Sequence, residues 1–204
     1  MIKQFSWGLL ILAGMIAAGA GSAAAQTFTC TSTLPAGDHT AVNVPTGATC
    51  NVSTSGNVTV TGSVTVNSGA TLQDFGAATF TVNSLSAVGA RMIYLVPATG
   101  GAVSITGGVS VTGATNTVDI RDSFIGGNLL VANSMISAYI NLTENSVGGN
   151  VLNRSNTTPA PGDNDIVDNT IGGSLVCSGN SPAPQDDGMP NTVGGAKMVQ
   201  CSGL

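Results

Sequence analysis

Four cysteines, one histidine and a single Asp-x-Arg-Asp run carry most of the chemistry this chain could offer. Cys30 and Cys50 lie near one end, Cys177 and Cys201 near the other. Neither pair has the Cys-x-x-Cys spacing of a redox centre, and no basic cluster stands by to lower a thiol pKa. Four cysteines allow three pairings. Position favours Cys30–Cys50 and Cys177–Cys201, one clamp at each end. Closing loops of about 20–24 residues is worth about 3 kcal/mol each in the chain-entropy model. The expected role of all four is structural.

The remaining candidates are sparse. His39 follows Asp38 with no nucleophile beside it. A zinc site needs three or four His, Cys or carboxylate ligands, and the cysteines are committed elsewhere. A glycosidase needs two carboxylates flanking the scissile bond. The nearest cluster is Asp119, Arg121 and Asp122, where strand alternation puts Asp119 and Arg121 on one face and Asp122 on the other. An exposed ion pair there is worth little. Sugar sites also offer aromatic platforms, and beyond residue 25 the chain has no Trp and only Tyr94 and Tyr139 as tyrosines. Asp163, Asp165 and Asp168, or Asp186 and Asp187, could supply oxygen to Ca²⁺, but the glycine and final glutamate of a calcium loop are missing. No catalytic residue, cofactor or metal is expected.

These residues must be positioned by an unusual chain. It has 204 residues, 42% hydrophobic and only 7% charged, with 28 Gly and 17 Asn. An average globular protein is about 25% charged, so this surface is built from Asn, Ser, Thr and Gly. Five basic residues cannot make the positive patch that phosphates require, which argues against nucleic acid as a partner. Scarce helix formers and abundant Val, Thr, Gly and Asn argue against a helical enzyme.

Residues 1–25 predict a secretory signal peptide. Lys3 supplies the positive start, an apolar run follows from Phe5 to about Ala18, and Ala23-Ala24-Ala25 is the small-residue cleavage site. The run is shorter than the ~20 residues of a membrane span, and no later stretch is apolar enough to make one. Removing 25 residues from 204 leaves 179, with four basic residues (Arg91, Arg121, Arg154, Lys197) against ten acidic. A secreted, extracellular location is expected, or a periplasmic one, and it suits disulfides.

Internal repetition is the strongest signal. Asn145-Ser146-Val147-Gly148-Gly149, Asn169-Thr170-Ile171-Gly172-Gly173 and Asn191-Thr192-Val193-Gly194-Gly195 share one pattern, and Asp122-Ser123-Phe124-Ile125-Gly126-Gly127 is a fourth copy with one inserted residue. Successive Val/Ile positions are 22, 24 and 22 residues apart. Short strand-like runs follow each Gly pair, as in Leu129-Leu130-Val131. This is a solenoid signature, and a parallel β-helix, adding about 4.8 Å of length per rung, meets it. In the first half, runs such as Val58-Thr59-Val60 and Val109-Ser110-Val111 alternate at period 2. Met92–Val96 is continuously apolar and predicts a strand covered on both sides. Residues 42 to 201 hold about seven rungs at this period, and 26–41 predicts an N-terminal cap over an open strand edge. Hydroxyl pairs such as Thr59/Thr61 and Thr79/Thr81 are too irregular for a flat ice-binding array.

Alternation assigns the interior. Ile125, Leu129 and Val131 point inward, then Val147, Val151 and Asn153, then Ile171, Leu175 and Cys177, and last Val193, Lys197 and Val199. Buried Asn153 needs hydrogen-bond partners. Aligned rungs bring Cα atoms within disulfide range, but Cys201 lies two positions too far along its rung to match Cys177, so a bend near Val199 is required. The opposite parity makes Leu130, Leu152, Val176 and Met198 an outward apolar row. Two outcomes stand open for it: cover by the loops 156–168 and 181–190, or an exposed interaction stripe.

The segment Asn169–Asn180, the Pro182-Ala183-Pro184 loop, and Asn191–Lys197 ending at Gln200-Cys201 resemble a family of exported bacterial repeat proteins that mostly lack an assigned function. The resemblance covers residues 122–204 and implies a right-handed parallel β-helix. It brings no catalytic residue. The expected protein is therefore an all-β solenoid in one domain, 26–204, with a disulfide near each end. Its expected role is a non-enzymatic structural or interaction module at a surface or in a matrix. Its expected partner is a second copy or a cell-surface polymer. The alternative is a carbohydrate-binding or carbohydrate-active protein using Asp119–Asp122, Tyr94 or Tyr139.

Overall fold

A computed structural model describes residues 27–204 apart from Ala77 and Gly162. The expected signal peptide, 1–25, lies outside the described residues. These form strands and turns with no helix, and every strand pairing is parallel. A 15-stranded and a 7-stranded sheet stack as a β-solenoid of about eight turns. The spacing predicts seven. The additional turn comes from the segment 26–41, whose strands Thr27–Thr29, Thr33–Leu34 and Gly37–His39 pair with strands of the next turn.

Each turn has three strand-bearing faces. The first two belong to the larger sheet, which is bent lengthwise. Thr79–Val88 makes this explicit: Thr79–Val82 pairs with Ala102–Ile105 on the first face, and Leu85–Val88 with Val109–Thr112 on the second. The smaller sheet is the third face. Inward columns run unbroken through the turns. Val60, Val82, Ile105, Ile125, Val147, Ile171 and Val193 stack on the first face, and Val64, Leu85, Val109, Leu129, Val151 and Leu175 on the second. Most are fully buried, as β-branched and aliphatic residues alternating with Thr, Ser and Asn dictate. Met92–Leu95 alternates likewise: Ile93 and Leu95 are buried, Met92 and Tyr94 half-buried. The expectation of cover on both sides is thus corrected. Tyr94 faces outward on the third face.

The repeat Asn-Ser/Thr-Val/Ile-Gly-Gly acquires a physical reading position by position. The Asn fills a corner inside the coil. Asn145 Nδ2 donates to Ile120 O at 2.8 Å, Asn169 Nδ2 to Leu142 O at 2.7 Å and Asn191 Nδ2 to Ile166 O at 2.7 Å. Each Oδ1 accepts the backbone N–H of the preceding turn, from Ser123, Asn145 and Asn169 respectively. Corner backbone groups that no strand can pair are satisfied this way, which removes a large desolvation cost. A second ladder of the same kind runs through Ser134, Asn156, Asn180 and Gln200. Buried Asn153 has its partners as well: its amide donates to Asn164 Oδ1 at 2.8 Å and accepts from Asn156. The Gly pair marks the bend between first and second faces. Gly127, Gly149, Gly173 and Gly195 bond through N–H to Gly107, Gly127, Gly149 and Gly173 at 2.7–2.9 Å.

Both disulfides join neighbouring turns, with Cα–Cα distances of 5.5 Å for Cys30–Cys50 and 5.2 Å for Cys177–Cys201. Val199 supplies the required bend: it pairs with Cys177 and has φ of 59°, turning the chain so that Cys201 lies over the core. The terminal turn is otherwise weakly held, with Val199 64% exposed. Replacing Cys177 and Cys201 by Ala is expected to lower stability by about 3 kcal/mol, read as a drop in the urea midpoint. An unchanged midpoint would show that the last turn contributes nothing to the cooperative unit.

Candidate functional site

Two outer surfaces stand apart from the general Asn/Ser/Thr cover. On the second face, Leu130, Leu152, Val176 and Met198 pair in direct register and form one column. The column continues toward the other end as Ser110 and Ser86. Leu130, Leu152 and Val176 are half-buried and Met198 is 41% exposed. Leu130 and Leu152 line a shallow depression of about 550 Å³ together with Ser84, Ser86, Ser110 and Asn128. No lining residue comes from the loops 156–168 or 181–190. Those loops stack on each other instead, through Thr157 with Met135 and Ser181. The expectation that they cover this part of the row is therefore corrected.

The second surface is the third face. Its outward column runs Asn51, Gln73, Tyr94, Asp119, Asn141, Asp165 and Gln185. Asp119 and Arg121 share this face, as alternation requires. Arg121 Nε donates to Asp119 Oδ1 at 2.7 Å and Nη2 to Oδ2 at 2.9 Å. Tyr139 OH donates to Asp119 Oδ2 at 3.1 Å. The carboxylate is 0% exposed beneath these partners, so the pair is bidentate and covered, not the solvated one expected. The bond to Asp119 raises the Arg121 pKa, and burial, then Asp119, raises that of the Tyr139 phenol. Held this way, Asp119 accepts three hydrogen bonds and is closed off from solvent. On the neighbouring turn Phe75 packs on Tyr94 with ring centroids 4.6 Å apart, and Phe75 is 50% exposed.

Asp122 stands away from this cluster at a corner with φ of 47°, followed in the next turns by Glu144 and Asp168, also with positive φ. A hydrogen bond shared with Asp122, and its negative charge, raise the Glu144 pKa. Asp163 and Asp186 accept backbone N–H bonds from Ala160 and Gly188 within their own turns. Among the described residues no three His, Cys, Asp or Glu side chains converge as a metal-holding group. His39 Nε2 lies 2.9 Å from Pro35 O and its ring packs on Phe28.

Asp165 is the most perturbed carboxyl on the third face. Burial, then the charges of Asp187 and Asp163, push its pKa from 3.8 to about 6. The folded state thus holds this proton more tightly than the unfolded chain. The resulting stability is complete below about pH 3.8 and is lost as pH rises through about 6. Asp165→Asn is expected to raise Tm at pH 7 by roughly 2–4 °C, since water screens a half-buried group, and to flatten Tm between pH 4 and pH 6. Equal Tm–pH curves for the two proteins would refute this.

Period-2 alternation placed Asp119 with Arg121 and the apolar row in one column. It did not bring Phe75, Gln73 or Asn141 to the same surface. Counting back through the turns from the Gly pairs could have found them, had the loop at 96–101 not lengthened one turn. In comparison with known proteins, no family model, no curated protein and no solved structure matches this chain.

Proposed function

We propose that the protein is an exported, non-enzymatic interaction module, a stiff coil that associates through its second face in a surface layer, matrix or adhesive assembly. The observation that carries this reading is the in-register column Leu130, Leu152, Val176 and Met198, apolar side chains partly open to solvent and stacked over four successive turns. Contiguous exposed apolar surface on a rigid scaffold supports docking. Two disulfides suit an oxidising compartment, and the apolar segment 5–18 with its small-residue site supports export. No helix among the described residues is long and apolar enough to cross a membrane.

The test is light scattering with size separation on oxidised protein across a concentration series, with negative-stain imaging. Dimers, larger oligomers or filaments are expected, and Leu152→Asp is expected to abolish them while leaving the far-UV circular dichroism unchanged. A monomer at every concentration would overturn self-association through this column.

A further inference from the structure

The third face has a chemistry that the second lacks. Phe75, half exposed, and the half-buried Tyr94 form an aromatic ledge, and Tyr139 flanks Asp119 from the other side, so aromatic rings stand on turns both before and after the Asp119–Arg121 pair. Side-chain amides continue the same column in both directions, Gln73 beside Tyr94 and Asn141 beside Asp119. Each turn contributes one side chain to this column, about 4.8 Å from the next along the coil. The loop beyond Leu95 encloses a polar depression of about 300 Å³ between Pro97–Gly101 and Asp122, at the Arg121 end of the face.

We propose that this face binds an uncharged linear polysaccharide lying along the coil axis. A sugar ring has one apolar C–H face and a rim of hydroxyls. The C–H face would stack on Phe75 and Tyr94, and the hydroxyls would bond to Gln73, Asn141 and the terminal nitrogen of Arg121 that Asp119 leaves uncommitted. The rung repeat is close to the advance of one hexose in an extended chain, so successive sugars fall on successive turns. Charge selects against an acidic polymer: the chain carries net −5, Asp119 neutralises the charge of Arg121, and Asp165 sits further along the column with the charges of Asp187 and Asp163 acting on it. An apolar partner is disfavoured by the amides and carboxylates between the rings. The proposal concerns binding, not cleavage, because Asp119 is buried beneath three hydrogen bonds.

Affinity electrophoresis of the oxidised protein through gels containing a soluble β-1,4-glucan, a β-1,3-glucan, a glucomannan, polygalacturonate or chitosan tests this. Retardation by at least one of the three uncharged polymers is expected. Phe75→Ala and Tyr94→Ala should each weaken it about tenfold, the loss of one stacked ring, with the thermal midpoint unchanged. Should either variant unfold, Gln73→Ala and Asn141→Ala take its place, each with a several-fold loss expected. Leu152→Asp should bind as the parent does, which separates this outcome from the oligomer measurement. No retardation by any uncharged polymer, retardation only by polygalacturonate or chitosan, or retardation that all four third-face variants leave intact would overturn the proposal.

Discussion

Replacing Asn169 with Ala is expected to destabilise the protein by about 4 kcal/mol, read as a fall in the urea midpoint. Asn169 is 2% exposed. Its Oδ1 accepts from Asn145 N at 2.9 Å, and its Nδ2 donates to Leu142 O at 2.7 Å and to Asn191 Oδ1 at 2.8 Å. Truncation leaves the buried Asn145 N–H without its acceptor and takes a donor from the Leu142 carbonyl, at about 1–3 kcal/mol each, and opens a small cavity besides. Asn150 is the matched comparison. It occupies a similar ladder, accepting from Ser174 N at 2.8 Å and donating to Asn128 Oδ1 at 3.1 Å, but it is half-exposed, so water replaces what Ala removes. Asn150→Ala is expected to cost about 1 kcal/mol. Equal losses at the two positions would mean that burial does not set the worth of these ladders.

Gly173→Ala is expected to be at least as damaging, at about 3 kcal/mol or more, for a steric reason. A Cβ at Gly173 would lie 2.7 Å from Gly149 O, 2.8 Å from the Gly149 carbonyl carbon and 2.6 Å from Asn150 Oδ1. The Asn150 side chain could move, but the Gly149 carbonyl could not without breaking the bond it accepts from Gly173 N at 2.9 Å. Ordinary overpacking costs about 1–3 kcal/mol where side chains yield, and here backbone must yield in two stacked turns. Gly203→Ala is the control: nothing lies within 4 Å of its added Cβ, and a change within about 0.5 kcal/mol is expected. A Gly173→Ala protein with the parent's urea midpoint would show that adjacent turns can separate at the bend at no cost.

The physics behind both predictions is also what makes the repeat legible along the chain. Asn and Gly-Gly recur because a coil of parallel strands poses the same two problems in every turn. Corner backbone groups need partners, and adjacent backbones must approach at the bend. Where the same problem is solved with other residues, the pattern fades from view. Ile105-Thr106-Gly107-Gly108 is a further bend copy without the Asn, and at Asn83-Ser84 the bend has no glycine, although Val82 and Leu85 hold the same inward columns as Ile105 and Val109.

The amino-acid sequence by itself determined the parallel coil, the inward and outward parity of the turns that carry Ile125, Val147 and Ile171, the column of Leu130, Leu152, Val176 and Met198, and the pairing of the cysteines. All of these depend on local alternation and on a nearly constant turn length, both of which can be counted along the chain. Only the tertiary structure decided which outward residues of different turns become neighbours on the third face. Tyr94 pairs with Asp119 across 25 residues, while Ile105 pairs with Ile125 across 20. Loops of unequal length are absorbed at the corners, where they leave strand alternation intact but shift the count from one turn to the next. The same freedom put the ledge of Phe75 and Tyr94 beside Asp119, Arg121 and Tyr139, and it left the apolar column of the second face partly open.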